Sequence, residues 1–264
     1  MSHATEALRG LNTPQWRRVL LKISGQAFTG SLDYGIDTDT VNRIAQDIVS
    51  VKSYFDIEIA VVVGGGNIWR GVQGAHDGMD LAQADYMGML STVMNGLALQ
   101  DTMERFGVDT RLQSAVHMAQ IAEPYIRRRA IRHLEKGRIV ILASGTGNPG
   151  FTTDTAASLR AVEIEAEAVL KGTHGGIDGI YTNDPNIDSE AVKLDHVTYL
   201  DVVNQGLKVM DTTAITLCME NQMPIVVFDL MGEGNLQSVL EGKGIGTLVN
   251  SGDTATLEGK VSRN

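Results

Sequence analysis

An apolar run leads into three consecutive glycines in the stretch Ile57-Glu58-Ile59-Ala60-Val61-Val62-Val63-Gly64-Gly65-Gly66. A run rich in β-branched residues predicts a strand that is buried on both faces, as strands of parallel sheets are. One tight turn needs one or two glycines, and each glycine costs about 0.5–1 kcal/mol relative to alanine in regular structure. We therefore interpret the glycines as a loop whose backbone binds an anion, the alternative being a purely structural turn.

Similar apolar runs alternate with helical patterns on both sides of this stretch. From Asp37 or Thr38, either of which can cap a helix, apolar residues recur every three or four positions as far as Phe55. Further runs predict strands at 18–23, 57–63, 110–112, 139–143, 168–171, 224–228 and 246–249. Further helices are predicted at 80–106, 126–135 and 153–167, with one or two more within 200–221. We interpret the apolar stripe that contains Met87 and Met94 as core or subunit contact rather than a cofactor site.

The alternation predicts an α/β protein whose mostly parallel sheet is covered by helices on both faces. The 264 residues carry a formal net charge of −10, which argues against nucleic acid or an anionic membrane surface as a partner. No run of about 18 apolar residues occurs, and the single cysteine, Cys218, is expected to be a buried helix thiol. We therefore expect a cytoplasmic protein with a flexible extension at 1–16, a single domain at 17–250 and a flexible tail at 251–264.

Four segments at strand ends are candidates for nucleotide binding, because ligands of open parallel sheets lie beyond the carboxyl ends of the strands. The segments are Lys22-Ile23-Ser24-Gly25, Gly64–Gly71 with the fork-shaped guanidinium of Arg70, Ser144–Asp154, and Ile177–Pro185 with Tyr181. Each segment also has a purely structural interpretation. In the same order, these are a lysine with its head in solvent, a tight turn, a helix cap at Thr152 or Thr153, and a half-buried tyrosine in a strand.

Neither of two common nucleotide signatures is found at the triple glycine. No Gly-x-x-x-x-Gly-Lys-Ser/Thr motif occurs, and the triple glycine lacks the Gly-x-Gly-x-x-Gly spacing, so neither a P-loop kinase nor a Rossmann dehydrogenase is indicated. The six histidines are scattered, and His133 is expected in a solvated basic helix. The sequence therefore indicates no metal site built from Cys and His.

Taken in order, the four segments and one more resemble the bacterial UMP kinases, a branch of the amino acid kinase family. The additional block, Tyr86-Met87-Gly88-Met89-Leu90 continuing through Val93-Met94-Asn95-Gly96, separates this branch from relatives that phosphorylate glutamate, aspartate or carbamate. The resemblance runs from about Arg18 to Val249. It implies an amino acid kinase-like fold, a three-layer α/β/α sandwich, and phosphoryl transfer from ATP to UMP giving ADP and UDP in pyrimidine nucleotide biosynthesis. It also implies Mg²⁺ bound with ATP, a homohexamer, and GTP as activator with UTP as inhibitor.

The resemblance also implies roles for individual residues. The catalytic residues are Lys22, Arg70 and Asp154, with Lys22 neutralising the moving phosphoryl group and Asp154 orienting Lys22 and the metal. ATP binding is implied for Lys22, Ile23, Ser24, Gly25, Gly66, Arg70, Thr173, Tyr181 and Asp184. UMP binding is implied for Gly65, Asp85, Thr146, Gly147, Asn148, Pro149, Gly150, Phe151, Thr152 and Thr153, with Asp85 accepting the ribose hydroxyls. Allosteric regulation by GTP is implied for Gly30, Ser31, Leu32, Asp33, Tyr34 and Gly35.

Three positions depart from the family pattern. Gln26 stands where a glutamate is usual, and Gly150 replaces the usual aromatic residue. His174-Gly175-Gly176 occupies a place where many relatives have one lysine, which lengthens the loop beside the expected ATP site by two residues. We expect activity to survive these changes, with nucleotide affinity and regulation most affected.

Two other functions are compatible with the sequence. One is a kinase of the same superfamily that uses a different acceptor, and Asp85 is the residue that discriminates against it. The other is a non-catalytic nucleotide-binding module of the same fold, against which the presence of Lys22 and Asp154 argues.

Overall fold

Three layers of secondary structure make up the fold in the computed structural model, which describes residues 13–70, 78–185, 187–207 and 209–252. The strands are β1 Arg18–Ile23, β2 Glu58–Val63, β3 Thr110–Ser114, β4 Glu123–Pro124, β5 Ile139–Ala143, β6 Ala168–Thr173, β7 Ile180–Tyr181, β8 Lys193–Leu194, β9 His196–Thr198, β10 Ile225–Asp229 and β11 Thr247–Asn250. The α-helices are α1 Thr38–Phe55, α2 Leu81–Arg105, α3 Arg127–Glu135, α4 Thr153–Glu163, α5 Tyr199–Asn204, α6 Thr212–Glu220 and α7 Asn235–Leu240. A 3₁₀ turn at Gly25–Phe28 follows β1.

A nine-stranded sheet runs through the described residues in the order β4-β3-β5-β2-β1-β6-β10-β11-β9. Among these described strands, only β10 and β11 pair in antiparallel fashion, and β7 with β8 forms a separate antiparallel pair. Strand β1 is central, where Lys22 pairs with Val62 of β2 and with Lys171 of β6. The carboxyl ends of β5, β2, β1, β6 and β10 therefore meet at one edge of the sheet.

Alternate residues of β1 face two separate apolar clusters. Leu21 and Ile23 pack with residues of α1, α2 and α7, whereas Leu20 packs with residues of α3, α4, α5 and α6. This burial on both faces confirms the predicted α/β/α sandwich with a mostly parallel sheet. Cys218 is fully buried in the second cluster, where burial raises the pKa of its thiol to about 11, in agreement with the predicted buried helix thiol.

Most element boundaries agree with the sequence patterns, and the differences have local causes. Asp37 is the residue that caps α1, because its carboxylate accepts the Thr40 N–H at 2.7 Å. Helix α4 ends at Glu163 rather than 167, since Glu165 adopts a left-handed φ of 59°. The predicted basic helix exposes Arg128, Arg129 and Arg132 to solvent, but His133 within it is buried: its side chain faces inward at 9% exposure, and its ring nitrogen lies 3.0 Å from a carboxylate oxygen of Glu123.

The two predicted flexible ends fall mainly on residues 1–12 and 253–264, which lie outside the described residues. Within the part of the chain that the structure describes, no helix combines the length and apolar character needed to cross a membrane.

Candidate active site

Two of the loops at this sheet edge touch each other because they lack side chains at the contact. A Cβ atom on Gly25 would lie 2.5 Å from the backbone nitrogen of Gly66, and one on Gly64 would lie 2.6 Å from the backbone nitrogen of Gly25. Gly65 is equally confined, since its Cβ would lie 2.8 Å from the carbonyl oxygen of Gly88 in α2. Protein packing thus explains two of the three glycines, which favours the structural alternative for Gly64 and Gly65.

Gly66 is the glycine that packing does not explain. A Cβ there would approach nothing closer than the Gln26 side-chain nitrogen, at 3.8 Å. Two side chains instead converge on its carbonyl: Gln26 Nε2 donates to it at 2.7 Å, and Arg70 Nε donates at 3.4 Å from an exposed guanidinium. Gly66 and Arg70 therefore lie where a phosphate could meet both the backbone and a guanidinium. Gly71, the last residue of the predicted motif, lies outside the described residues.

A buried amide pair anchors the triple glycine to α2. Asn67 and Asn95 exchange two hydrogen bonds, with Asn67 Nδ2 donating at 2.9 Å and Asn95 Nδ2 donating at 2.7 Å. Asn95 Nδ2 also donates to the Gly64 carbonyl at 2.7 Å, and Asn67 Nδ2 to the Gly35 carbonyl at 2.8 Å. The amide pair therefore joins α2, the triple glycine and the segment predicted for GTP regulation.

Asp154, in the first turn of α4, lies between two lysine ammonium groups. Its Oδ1 is 2.6 Å from Lys22 Nζ, an ion pair whose angle falls outside hydrogen-bond geometry, and its Oδ2 accepts a hydrogen bond from Lys171 Nζ at 2.8 Å. All three side chains are largely buried, with exposed fractions of 8% for Lys22, 17% for Asp154 and 13% for Lys171. We call these three side chains the lysine cluster.

Charge and burial together determine the protonation of the lysine cluster. Burial alone would raise the pKa of Asp154, but Lys22 and Lys171 outweigh it and lower that pKa below its ordinary value. Burial lowers the pKa of Lys171 and Lys22 lowers it further, while Asp154 opposes both. Asp154 is therefore ionised at neutral pH with both oxygens directed at ammonium groups, and it is not placed to take a proton from a substrate.

A second carboxylate connects the lysine cluster to the segment before α6. Lys171 Nζ also donates to the carbonyl of Val209. Two residues later Asp211, which caps α6, accepts hydrogen bonds from the hydroxyl groups of Thr155, at 2.8 Å, and Thr152. Thr152 is also the N-cap of α4, as one structural alternative held. Asp211 thus joins the start of α4 to the start of α6.

A cavity of about 200 Å³ lies between α2 and the loop after β5. Asp85 of α2 holds that loop, since its Oδ2 accepts the Gly150 N–H at 2.6 Å. Of the residues predicted to bind UMP, the cavity is lined by Gly65, Asp85, Thr146, Phe151, Thr152 and Thr153. Gly147, Asn148, Pro149 and Gly150 form the outer turn of the loop, where both glycines have positive φ.

A larger cavity, of about 460 Å³, is formed by residues 177–185 and 205–207. Tyr181 and Asp184, both predicted to border ATP, line it, and the Tyr181 hydroxyl donates to Asp178 Oδ1 at 2.5 Å. Thr173 is not part of this lining. Its hydroxyl lies within hydrogen-bond distance of the Ile177 carbonyl and, at 2.8 Å, of the Phe228 carbonyl.

The lysine cluster adjoins the linings of both cavities along the chain. Thr153, which lines the smaller cavity, directly precedes Asp154. Leu207, which lines the larger cavity, is two residues before Val209, the carbonyl partner of Lys171. Lys22, Ile23, Ser24, Gly25, Gly66 and Arg70 group at the sheet edge, with Tyr181 and Asp184 on one side and Asp85 with the loop after β5 on the other.

Lys171 and Asp211 are absent from the residues predicted from sequence. Lys171 repeats the signal seen at Lys22, a lysine near the end of a buried strand followed by small residues, so the pattern could have identified it. Asp211 reads only as a helix cap, and its contacts with Thr152 and Thr155 depend on tertiary structure. The loop at 145–150 also has the Gly-x-Gly-x-x-Gly spacing that the triple glycine lacks.

The chain supplies no preformed cage for Mg²⁺ in the residues that the structure describes, because no group of three or more His, Cys, Asp or Glu side chains is arranged to hold a metal ion. Asp154, the carboxylate at the centre of the site, already faces two ammonium groups. Protein-bound Mg²⁺ commonly keeps waters and takes substrate phosphates as ligands. The donor set here does not fit a metal held by the protein alone.

A parallel sheet with a buried lysine cluster at a glycine-bordered edge defines a phosphate-binding α/β protein. Residues 17–229 match the model of the Amino acid kinase family, and the chain belongs to that family. The match confirms the predicted family, the predicted fold and the prediction that the chain is a kinase.

Solved structures of three UMP kinases are similar to the chain. UMP kinase from Bacillus anthracis is 35% identical, with a TM-score of 0.86 over 90% of this chain and 97% of that chain. UMP kinase from Ureaplasma parvum is 35% identical, with a TM-score of 0.83 over 89% of this chain and 99% of that chain. Uridylate kinase from Archaeoglobus fulgidus is 25% identical, with a TM-score of 0.68 over 88% of this chain and 99% of that chain.

Proposed function

We propose that the protein transfers the γ-phosphoryl group of ATP to UMP, giving ADP and UDP for pyrimidine nucleotide biosynthesis. The observation that carries the proposal is the lysine cluster, in which two buried ammonium groups flank one carboxylate at the glycine-bordered sheet edge, next in sequence to the linings of both cavities. ATP occupies the larger cavity and UMP the smaller one, so that their phosphates meet at Lys22, Lys171 and Arg70. The similarity to UMP kinases over about nine-tenths of the chain supports UMP as the acceptor.

The reaction needs alignment and charge stabilisation rather than a general base. A phosphate oxygen of UMP is already an anionic nucleophile, and phosphoryl transfer concentrates negative charge on the moving group and its oxygens. Lys22 and Lys171 neutralise that charge, and Asp154 holds the two ammonium groups in position. Asp85 binds the ribose hydroxyls through the carboxylate that also holds the loop after β5. Mg²⁺ bound to the ATP phosphates would add to this charge neutralisation, and the chain's own part is to hold the ammonium groups of Lys22 and Lys171 beside them.

A coupled assay that detects nucleoside diphosphate tests the proposal. With ATP as donor, UMP should be phosphorylated much faster than CMP or AMP. Lys22→Ala should lower kcat by about 10²–10³-fold with a smaller effect on KM, because the lost contact acts on charge that develops in the transition state. Lys243→Ala, an exposed lysine paired with Glu241 away from both cavities, is the matched control and should keep normal turnover.

Three results of the same assay would contradict the proposal. Near-normal turnover by Lys22→Ala would show that the lysine cluster does not stabilise the transition state. A faster reaction with another acceptor would indicate a different kinase of the family. Binding of both ATP and UMP without formation of UDP would indicate a nucleotide-binding module.

The proposal includes a homohexamer in the cytoplasm. Helix α2 exposes an apolar stripe whose members are 38–54% exposed, namely Leu81, Tyr86, Met87, Leu90, Met94 and Leu97. The last four of these recur every three or four residues. Exposure of Met87 and Met94 argues against the core interpretation and favours the subunit contact. Met94→Glu should reduce the mass measured by analytical ultracentrifugation, whereas Met94→Leu should preserve it. An unchanged mass for Met94→Glu would exclude this stripe as the interface.

The proposal also includes activation by GTP and inhibition by UTP. Its support is the segment Gly30–Gly35, which exposes Leu32 and Tyr34 and is bonded at Gly35 to Asn67, directly after the triple glycine. Activity measured across GTP and UTP concentrations tests it. A rate that does not respond to either nucleotide would contradict this regulation.

A further inference from the structure

His174 is the first residue beyond β6, on the sheet edge that carries the lysine cluster. In the sheet, Gly172 pairs with Ile23 of β1, and Thr173 pairs with Asp229 of β10. His174, the next residue along, therefore lies beside the loop that follows β1, and it is half-buried there. The proposed function leaves this residue without a role.

In the loop that follows β6, His174 is followed by two glycines, so the histidine carries the only side chain of the three that could contact a ligand. The Thr173 hydroxyl, within hydrogen-bond distance of the Ile177 carbonyl, closes the base of the loop. Gly175 and Gly176 have φ values of +71° and +77°, and a Cβ on either would meet no atom within 4 Å. Glycine is therefore required at both positions by backbone conformation and not by packing. Among residues 174–176, only the histidine carries a side chain that can bind a ligand.

Charged groups on three other elements act electrostatically on His174: Lys22 on β1, Arg70 beyond β2, and Asp229 at the end of β10, which pairs with the neighbouring Thr173. Burial lowers the pKa of His174, Lys22 and Arg70 lower it further, and Asp229 opposes them. In the nucleotide-free protein the imidazole is therefore mainly neutral at neutral pH. Lys22 and Arg70 are also the cations that the proposed function assigns to the ATP phosphates.

We propose that the imidazole of His174 contacts the polyphosphate of the nucleotide donor and takes up a proton from solvent when the polyphosphate binds. The inference rests on the proposed function for the identity of the donor. Several negative charges beside the imidazole favour its protonated form, which donates a charge-assisted hydrogen bond to a phosphate oxygen. By linkage, ATP binding tightens as pH falls through the window between the pKa values of free and ATP-bound His174.

The test is the dissociation constant of ATP, measured by titration calorimetry without UMP from about pH 5.5 to about pH 8.5. Wild type, His174→Asn and His174→Lys are compared as ratios, because the titration of ATP itself is common to all three. Wild type should match His174→Asn at the highest pH and bind about tenfold more tightly at the lowest, the effect of one charge-assisted hydrogen bond of about 1.4 kcal/mol. His174→Lys, charged throughout, should bind about tenfold more tightly than His174→Asn at every pH. The matched control is His196→Asn, which removes a histidine paired with Asn250 and should follow wild type.

A ratio of wild type to His174→Asn that does not change with pH would overturn the inference, whether the variant binds ATP weakly or normally. If His174→Asn does not fold, the ATP affinity of wild type must still approach that of His174→Lys at low pH and fall below it at high pH. A ratio of these two affinities that does not change with pH would also overturn the inference. Because UMP is absent, a protein with the expected pattern that forms no UDP would refute the proposed function and leave the role of His174 intact.

Discussion

Asp154→Asn removes the negative charge that lies between two buried ammonium groups, and we expect a large loss of stability. At separations of 2.6 and 2.8 Å, each ion pair has an attraction of about 6 kcal/mol at an effective dielectric constant of about 20. Desolvation of the charges offsets much of this attraction. Removing one partner of a buried pair typically costs about 3–5 kcal/mol, and this carboxylate serves two partners, so we expect the upper end of that range.

Lys171→Met should cost less stability than Asp154→Asn. That variant leaves Lys22 and Asp154 as a one-to-one pair and removes a buried charge, so it should cost only about 1–2 kcal/mol. The double variant Asp154→Asn with Lys171→Met leaves a single unpaired ammonium group in place of two. We therefore expect the double variant to be more stable than Asp154→Asn alone, although it carries one more substitution.

Urea unfolding followed by far-ultraviolet circular dichroism at a fixed protomer concentration measures these differences. The pKa of Asp154 is lowered by the lysines despite its burial, so its contribution is complete above about pH 4 and is lost as pH falls through the lower folded-state value. The gap between wild type and Asp154→Asn should therefore close only in acid. A Lys171→Met variant as unstable as Asp154→Asn, or a double variant less stable than Asp154→Asn, would refute the reasoning.

Four other substitutions test the surrounding structure. Gly64→Ala should lower the free energy of unfolding by about 1–3 kcal/mol because its Cβ would lie 2.6 Å from a backbone nitrogen. Gly66→Ala, with 3.8 Å of clearance, should instead raise KM for UMP at nearly unchanged stability, because Gly66 lines the smaller cavity. Equal stability losses in thermal melts would contradict this. Asp211→Asn should raise KM for UMP several-fold by weakening the hold on Thr152, and unchanged steady-state kinetics would count against that link. Asp37→Ala should lower the urea midpoint through loss of the α1 cap while leaving kcat unchanged, and an altered kcat would show that the cap also serves the site.

Continuous apolar runs and clear caps explain why much of the fold is predictable from sequence. The strand at 18–23 and the helix from Thr38 to Phe55 have the expected bounds because burial on both faces and an N-cap leave direct marks in the sequence. Strands β4, β8 and β9 and helix α7 are too short to show a period. Helix α4 stops early because Glu165 takes a left-handed conformation that no residue pattern indicates.

The site can be predicted from sequence where the backbone requires a particular residue type, such as glycine. It is harder to predict where side chains from distant parts of the sequence meet. Glycines after β2 point to a crowded loop, but only the structure separates Gly66, which has free space, from Gly64 and Gly65, which packing requires. Lys171 in isolation resembles a strand lysine with its head in solvent, and its role depends on Asp154 arriving from another element. His133 shows the opposite error, since a basic helix sequence conceals a histidine turned inward toward Glu123.

The paired amides of Asn67 and Asn95 hold the triple glycine in place by hydrogen bonds, and neither side chain lines a cavity described above. A change of acceptor could therefore come from exchange of the segment 145–153 without any change to the triple glycine. Either asparagine, in contrast, could be altered only together with its mate, because a buried amide left without its partner is costly. Substrate choice can therefore change through the segment 145–153, whereas Asn67 and Asn95 are constrained to change together.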